Sequence, residues 1–525
     1  MNGMFSFLHR HKDPTPSPFT VKEFAVLASA LVVYLSVALA TIGASSVWFD
    51  EAFGAYLIRF NFADVARYTA SDVHPPLYYW ALKLWSSWFG YNEVAMRSMS
   101  VVFGVIALVF GWLLVRRWFG RRVAATSLAL MVITPFFIRY SQEMRMYTMV
   151  VAIGLAATYV LTLADKTRKS WQWAIYGLLV GIGLLTHYYA ALIWVAHWAW
   201  RLLELRSSGL RGKAVWRAFF SRGWLYAHLI ALALFAPWIG ALISQFQDVQ
   251  ANGFWIPAVT ISTPISFLTD TVVYLQEKSL VSWGAIVFGI YAVGLLLFVV
   301  TVYRRVGTIR KKYFLLVLLL ATVPLLLLIL ASLPPLRPSF VDRYVTTSAL
   351  AVSMIIGITI GLSRGFVSNR VRWSVFIATV ALFGYGISNV YRLGNYNTDK
   401  SEANSTRQVV DEIRKREPNA SIVADSPWIY YEAAFYSTAA SPVSFIDANT
   451  EYKYGSLLML KENDLGKIKD LTDFESTHAT FWYVGRPGNN EETAPSANLK
   501  GVDSFRINDT LNGNPDYEAV KYQVL

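Results

Sequence analysis

The sequence contains no cysteine among its 525 residues. This excludes disulfide bonds, thiolate catalysis and cysteine-based metal sites. Charged residues are also scarce: they make up 15% of the chain, whereas 55% of the residues are hydrophobic. Such a composition is too apolar for an ordinary soluble protein, and it indicates a polytopic membrane protein.

The charges that remain are biased to one sign, with 47 Lys and Arg against 34 Asp and Glu and a net charge of +13. In a membrane protein, a basic excess normally lies in cytoplasmic loops that face anionic lipid. No motif typical of RNA- or DNA-binding proteins accompanies this charge, so we expect no nucleic-acid partner.

Apolar runs of the length that crosses a bilayer as a helix, about 20 residues, recur along the chain. Eleven of them lie at about 22–44, 94–115, 122–138, 146–164, 172–186, 188–204, 224–243, 283–303, 313–333, 341–362 and 372–391. Basic loops follow every second run, which places the N-terminus in the cytoplasm and the C-terminus outside. We interpret the first run as a signal anchor of a multi-pass cell-membrane protein.

The composition divides the chain into three predicted parts. Residues 1–21 form a short basic cytoplasmic tail, and residues 22–391 form the transmembrane domain. Residues 392–525 are polar and predict an extracytoplasmic soluble α/β domain. Its predicted helix and short buried strands lie at 402–417, 421–425, 443–446 and 480–484. The predicted fold class is therefore membrane all-α with a C-terminal α/β domain.

The first outer loop, residues 45–93, contains two adjacent carboxylates, Asp50 and Glu51. Acids at the mouth of a membrane span are costly to desolvate, so they usually have a function or a partner. Residues 52–68 mix aromatic and polar side chains with roughly helical spacing, and residues 75–89 form an aromatic run that is too short to span. They predict helices that lie in the membrane interface.

Three motifs resemble the polytopic GT-C glycosyltransferases: WFDEA after the first run, DVHPPLYY further along the first outer loop, and RYSQEMRMY after the third run. The resemblance covers about residues 20–390 and points to the branch of protein O-mannosyltransferases and lipid A aminoarabinose transferases. It implies a GT-C fold and transfer of a sugar from a polyprenyl-phosphate donor outside the cytoplasm. It also implies that Asp50 is the catalytic base.

A transferase of this kind needs a base for the acceptor hydroxyl and cations for the phosphate leaving group. Asp50 is the predicted base, and Glu51 beside it is a second catalytic candidate. Direct displacement predicts inversion at the anomeric carbon. The predicted phosphate contacts are Arg139, Arg145, His187 and Arg343. The predicted substrate contacts are His74, Glu143 and Tyr188.

The candidates in the first outer loop also have structural interpretations. Asp50 could be an ordinary interfacial acid. Glu51 could contact the acceptor, support its neighbour or simply be solvated. His74 could bind phosphate or a metal ion, or it could be a structural hydrogen-bonding residue. Tyr78 and Tyr79 are expected to pack in an aromatic belt.

The cationic candidates have structural alternatives as well. A structural ion-pair cluster after the third run would consist of Arg139, Tyr140, Glu143 and Arg145. Arg343 could instead pair with its neighbour Asp342. His187 stands where a lysine is common in the family, and a histidine is not permanently cationic.

We therefore predict an inverting hexosyl- or pentosyltransferase that uses a polyprenyl-phosphate sugar. Its partners would be that donor, the lipid bilayer and an acceptor protein, lipid or cell-wall glycan. We assign no metal site and no required cofactor, and we leave a divalent cation open because Asp, Glu and His side chains could ligate one. The alternatives are a receptor and a transporter or flippase of a lipid-linked sugar. A transporter would place polar residues at the membrane midplane.

Overall fold

The computed structural model describes residues 18–252, 256–275, 282–393, 406–447, 457–463, 466–486, 495–508 and 515–525. The chain forms two compact units. The helical unit consists of Met1–Ala40, Ser98–Gln142 and Met146–Val390. The mixed unit consists of Thr41–Arg97, Glu143–Arg145 and Tyr391–Leu525. Residues 1–17, most of the predicted cytoplasmic tail, lie outside the described residues.

The helices follow the chain in the order α1 (Val21–Leu39), α2 (Phe49–Leu57), α3 (Phe62–Ala70), α4 (Leu77–Phe89), α5 (Glu93–Phe119), α6 (Arg121–Met131), α7 (Pro135–Ser141), α8 (Tyr147–Thr167), α9 (Ser170–Thr186), α10 (Ala190–Ser207), α11 (Lys213–Phe219), α12 (Arg222–Phe235), α13 (Ile239–Asn252), α14 (Thr263–Val273), α15 (Ser282–Arg305), α16 (Thr308–Leu330), α17 (Thr346–Leu362), α18 (Asn369–Arg392), α19 (Thr406–Arg416), α20 (Pro427–Phe435), α21 (Leu458–Glu462) and α22 (Leu471–Thr477). The strands are β1 (Ile422–Ala424), β2 (Val443–Ile446), β3 (Lys467–Ile468), β4 (Thr480–Gly485), β5 (Leu499–Asn508) and β6 (Pro515–Val524).

Membrane-length helices dominate the helical unit. Among the described residues, eight helical segments are long and apolar enough to cross a membrane, and the pair α6–α7, bent by 63°, makes a ninth if it is one span. Helix α9 is apolar but shorter. Ten of the eleven predicted runs overlap one of these helices, and the remaining run, 188–204, overlaps α10. The membrane all-α prediction is therefore confirmed, whereas the number of eleven crossings stays a prediction.

Close helix packing fills the interior of the helical unit. Gly357 and Gly361 on α17 lie against Ser127 and Val123 on α6. A Cβ atom on Gly357 would come within 2.4 Å of the Cα atom of Ser127, so a larger residue would push the two helices apart. Small residues at such crossings let helix backbones approach each other within a membrane. Helices α8 and α17 are consequently buried along most of their length.

The C-terminal part of the mixed unit forms a sheet with the strand order β3-β2-β1-β4-β6-β5 in the described residues. Strands β3, β2, β1 and β4 are parallel, and β6 is antiparallel to both β4 and β5. The predicted strands are confirmed as β1, β2 and β4, and the predicted helix as α19, with residues 402–405 outside the described part. The antiparallel pair of β5 and β6 was not predicted, because β5 is mostly exposed and lacks an apolar run.

The first outer loop folds into α2, α3 and α4 within the mixed unit. The predicted helix at 52–68 is two helices, and α2 begins at Phe49, so both carboxylates lie in its first turn. Helix α2 is largely buried, and it packs against α20 of the same unit. Helix α4 instead exposes three apolar side chains, Leu84, Trp88 and Phe89. Exposed aromatic and apolar residues of this kind are typical of interfacial helices. The predicted domain boundary near residue 392 stays a prediction.

Candidate functional site

The two adjacent carboxylates on α2 have different surroundings. Successive residues of an α-helix point about 100° apart around its axis, so neighbours in sequence cannot share an environment. The side chain of Glu51 is 1% exposed, whereas the side chain of Asp50 is 23% exposed. Asp50 is therefore the carboxylate of this pair that a substrate can reach.

Glu51 is held by a buried arginine, Arg97, near the start of α5. The Glu51 carboxylate accepts hydrogen bonds from Nε of Arg97 at 2.9 Å and from Nη2 at 2.6 Å. The remaining N–H groups of Arg97 donate to the backbone carbonyls of Ile42, Ser45 and Ser46 at 2.8–2.9 Å. All five guanidinium donors thus have acceptors, which is the condition under which a buried ion pair is tolerated.

Asp50 lies beside a second buried arginine, Arg145. Nη2 of Arg145 is 3.8 Å from Oδ2 of Asp50, and Nη1 donates to the Asp50 backbone carbonyl at 3.2 Å. The same guanidinium contacts the phenol oxygen of Tyr79 and Nε2 of His74, both at 3.3 Å. We call Asp50, Asp72, His74, Tyr79 and Arg145 the Asp50 cluster. A carboxylate and a permanent cation are therefore fixed next to each other.

The contacts of His74 determine which of its nitrogens carries the proton. A guanidinium can only donate hydrogen bonds, so Nε2 of His74 must accept from Arg145. The proton then lies on Nδ1, which donates to Oδ2 of Asp72 at 3.2 Å. His74 in this neutral form orients Arg145. Tyr79 is held as the neutral phenol, since burial raises its pKa.

Residues 143–145 contact both acidic residues of α2, Asp50 and Glu51. The backbone N–H of Met144 donates to Oε1 of Glu51 at 2.8 Å, and the next side chain, Arg145, contacts Asp50. Glu143 is buried, and its backbone carbonyl accepts from the Arg145 N–H at 2.8 Å. The tripeptide therefore fixes the backbone from which Arg145 extends.

The helical unit contains a separate recess that includes two of the predicted phosphate contacts, His187 and Arg343. Its empty space is about 230 Å³, counting the part open to solvent. Three tyrosines line it as well: Tyr147, Tyr189 and Tyr344. The rings of His187 and Tyr344 lie 5.0 Å apart between centroids. The recess thus combines a cation and an imidazole with aromatic walls.

The other two candidates of the helical unit are not among the residues that line this recess. Arg139 is buried, with its guanidinium carbon 5.8 Å from the ring centroid of Tyr140. The Tyr140 hydroxyl donates to Oδ1 of Asp342 at 3.3 Å. The hydroxyl of Tyr188 lies 2.5 Å from Oε1 of Gln245. It also accepts from the indole N–H of a neighbouring tryptophan, Trp238, at 2.7 Å.

The sequence is similar to known transferases over part of its length. Residues 73–240 match the family described as dolichyl-phosphate-mannose-protein mannosyltransferase. The undecaprenyl phosphate-α-4-amino-4-deoxy-L-arabinose arabinosyl transferase of Pseudomonas paraeruginosa is 28% identical over 184 residues. That match covers 34% of this chain and 32% of the relative, so it spans about a third of the relative's length.

The fold is similar to solved structures over nearly the whole chain. ArnT from Cupriavidus metallidurans in the apo state superimposes with a TM-score of 0.61 at 12% identity, covering 95% of this chain and 97% of that one. ArnT bound to undecaprenyl phosphate gives 0.60 at 13% identity, covering 94% and 97%. The chain has the GT-C type of fold that the sequence predicted. It resembles the branch of protein O-mannosyltransferases and aminoarabinose transferases, and it is a polytopic membrane protein.

Sequence reasoning missed several residues around the candidate groups of this GT-C protein. Arg97 lies within an apolar run, and a charge in that position requires a partner, so it could have been matched with Glu51 in advance. Tyr79 was expected only to pack in an aromatic belt, but its hydroxyl contacts Arg145. Asp72 gave no signal beyond its spacing of two residues from His74.

Side chains that could bind a metal ion are not clustered in the part of the chain that the structure describes. Within the described ranges, no group of three or more His, Asp or Glu side chains could hold a metal ion. The predicted independence from metals stays a prediction, because hard cations can also be bound through substrate phosphates and water.

Proposed function

We propose that this protein is an inverting glycosyltransferase that moves a sugar from a polyprenyl phosphate to an acceptor on the extracytoplasmic face of the membrane. The observation that carries the proposal is the difference between the two carboxylates of α2. Glu51 is buried in an ion pair with Arg97, whereas Asp50 is partly exposed beside Arg145. The bound lipid of ArnT and the name of the arabinosyl transferase relative support a polyprenyl-phosphate donor.

In the proposed reaction Asp50 is the general base. Its carboxylate takes the proton of an acceptor hydroxyl, and the acceptor oxygen attacks the anomeric carbon of the donor sugar. The bond between that carbon and the phosphate oxygen breaks, and the polyprenyl monophosphate leaves with the electron pair. One displacement inverts the anomeric configuration. Arg145 orients the carboxylate, and His74 orients Arg145 in turn.

Glu51 is better suited to positioning than to proton transfer. Both its oxygens accept charge-assisted hydrogen bonds from Arg97, and it is almost inaccessible. A carboxylate that is fully engaged in this way has no reach to a substrate hydroxyl. The substrate roles of Glu143 and Tyr188 stay predictions, as does the identity of the sugar as a hexose or a pentose.

The direct test is a transfer assay with purified protein in detergent. We expect the wild-type protein to move a radiolabelled sugar from a synthetic polyprenyl phosphate to an acceptor hydroxyl. We also expect the anomeric configuration of the product, read by NMR, to be opposite to that of the donor. Retention of configuration would contradict direct displacement.

The detergent assay also separates transfer from transport. A flippase moves its lipid between leaflets and needs a sealed membrane, so it forms no glycosidic bond in detergent. If sealed vesicles show movement of the lipid while no sugar is transferred under either condition, the enzyme proposal is wrong and the transporter alternative is correct.

A second prediction concerns the recess of the helical unit. Arg343→Gln should weaken donor binding roughly 10- to 100-fold, since a hydrogen bond to a charged group contributes about 1.5–3 kcal/mol. Undecaprenyl phosphate binding, measured by tryptophan fluorescence, provides the readout. The matched control is Arg337→Gln, an exposed arginine six positions earlier, which should bind the lipid as the wild type does. Equal affinities for the two variants would remove Arg343 from the phosphate contacts.

A further inference from the structure

The segment that leads into α2 follows an irregular path of turns and bends. We call residues 42–47 the α2 leader. Trp48, the N-cap residue, comes directly after it, and Asp50 is the second residue of the helix. Buried backbone groups outside helices and strands need partners from side chains or water. The groups that bind the α2 leader therefore determine where the helix begins and where Asp50 lies.

Two arginines bind the first five carbonyls of the α2 leader. Arg407, on α19, donates to the Gly43 carbonyl from both Nη atoms at 3.2 Å, and its Nη2 atom donates to the Ala44 carbonyl at 3.0 Å. Arg97 donates to the other three carbonyls, those of Ile42, Ser45 and Ser46. The α/β part of the mixed unit thus supplies one of the two cations that hold this segment.

The hydroxyl of Tyr436, the residue that ends α20, binds the last residue of the α2 leader. It accepts from the backbone N–H of Val47 at 2.9 Å and donates to Oε1 of Glu93 at 2.9 Å. The same Oε1 atom accepts from Nη1 of Arg407 at 3.0 Å. Burial holds the pKa of Tyr436 well above its usual value, so the hydroxyl keeps the proton that it donates. The contacts of Tyr436 and Arg407 with the α2 leader are therefore joined through one carboxylate.

Aromatic packing joins α20 to α2 directly. The ring of Phe49 lies 4.7 Å from that of Trp428 and 5.9 Å from that of Tyr431 between centroids, in edge-to-face arrangements. Tyr431 also lies 6.2 Å from Phe53, one turn further along α2. Pairs of this geometry contribute beyond their buried area. Tyr436 therefore binds the α2 leader from the end of a helix that is itself packed against α2.

We infer that Tyr436 and Arg407 are positioning residues for Asp50, and that through them the C-terminal α/β part belongs to the catalytic machinery. This inference rests on the proposed function. Arg97 binds both the α2 leader and Glu51, the neighbour of Asp50, while Tyr436 and Arg407 bind the remaining groups of the leader. A displacement of about 1 Å at a catalytic group lowers rates by up to about 100-fold.

The test uses Tyr436→Phe and Arg407→Met in the transfer assay. Tyr436→Phe keeps the ring but leaves the buried Val47 N–H without its acceptor, so kcat should fall by about 10- to 100-fold. Arg407→Met should cause a loss of the same order, because it releases the carbonyls of Gly43 and Ala44. The KM for the donor should stay within about two-fold of wild type, since neither residue belongs to the Asp50 cluster or to the recess. A raised donor KM with an unchanged kcat would contradict the positioning role.

Two matched controls, Tyr68→Phe and Arg67→Met, remove contacts with the α/β part at a different place. Both residues lie on α3: the Tyr68 hydroxyl accepts from Nδ2 of Asn463 at 2.8 Å, and Arg67 pairs with Glu462. If attachment of the α/β part were all that mattered, the controls would lose as much activity as Tyr436→Phe and Arg407→Met. We expect instead that both controls keep the wild-type kcat. Matching losses would overturn the inference.

Amide hydrogen exchange supplies a readout that does not depend on activity. The peptide that covers residues 42–52 should exchange faster in Tyr436→Phe and Arg407→Met and should be unchanged in both controls. Unchanged exchange in the two test variants, or faster exchange with a wild-type kcat, would contradict the inference. If the wild-type protein transfers no sugar, the proposed function fails, while the exchange result still shows whether Tyr436 and Arg407 hold the α2 leader.

Discussion

Asp50→Asn is expected to lower sugar transfer by roughly 10²- to 10⁴-fold, the range that a positioned general base contributes. The asparagine has the shape of aspartate, so the contact between residue 50 and Arg145 can keep one oxygen acceptor. It cannot take a proton from the acceptor hydroxyl. We therefore expect a fall in kcat with little change in donor binding, measured with a radiolabelled polyprenyl-phosphate sugar.

Asp64→Asn provides the matched control for this variant. Asp64 is a partly exposed carboxylate on α3, in the same segment between α1 and α5, where Asn61 accepts from its backbone N–H. It lies outside the Asp50 cluster, so the Asp64 variant should transfer sugar at the wild-type rate. A well-folded Asp50→Asn protein with full transfer would end the assignment of Asp50 as the base, whatever the control shows.

Much of the fold follows from patterns in the sequence. The apolar runs predict the helices of the helical unit because a segment that crosses lipid must satisfy its backbone internally. Strands β1, β2 and β4 are short and buried, so each appears as an apolar run between turn signals. Strand β5 alternates little and is mostly exposed, and its pairing with β6 depends on tertiary contacts that no local pattern records.

The sequence predicts which residues of the site are chemically significant but not what each of them contacts, and the reason is physical. The motifs identify Asp50, Glu51, His74 and Arg145 as chemically significant, and three of them lie in one cluster. Their roles depend on partners distant in sequence. Glu51 is buried in its pair with Arg97, 46 positions away, and the tautomer of His74 depends on Arg145, 71 positions away.

The start of α2 illustrates the same limit. A helix beginning at Phe49 was not predicted, because its N-cap residue, Trp48, is not one of the usual capping residues Ser, Thr, Asp and Asn. The hydroxyl that accepts from the Val47 N–H belongs to Tyr436, which ends α20 and lies 389 residues later in the chain. Since α20 belongs to the α/β part, the position of Asp50 cannot be derived from the transmembrane motifs alone.

The second large effect concerns Arg97. Arg97→Met should lower the free energy of unfolding by about 3–5 kcal/mol, because it leaves the buried Glu51 carboxylate without its cation. It also removes the donors to three backbone carbonyls, at Ile42, Ser45 and Ser46. Glu51→Gln should be less severe, since its amide oxygen can still accept from Met144 or Arg97. The measurement is chemical unfolding of both variants in detergent.

The double variant Glu51→Gln, Arg97→Met completes a mutant cycle that isolates the pair. If the ion pair is the main source of the effect, the double variant should be more stable than Arg97→Met alone, because a neutral amide is less costly to bury than an unpaired carboxylate. Strictly additive losses would mean that Arg97 acts through the three carbonyls and not through Glu51. In that case Glu51 would be free to act on substrate, and its positioning role would have to be abandoned.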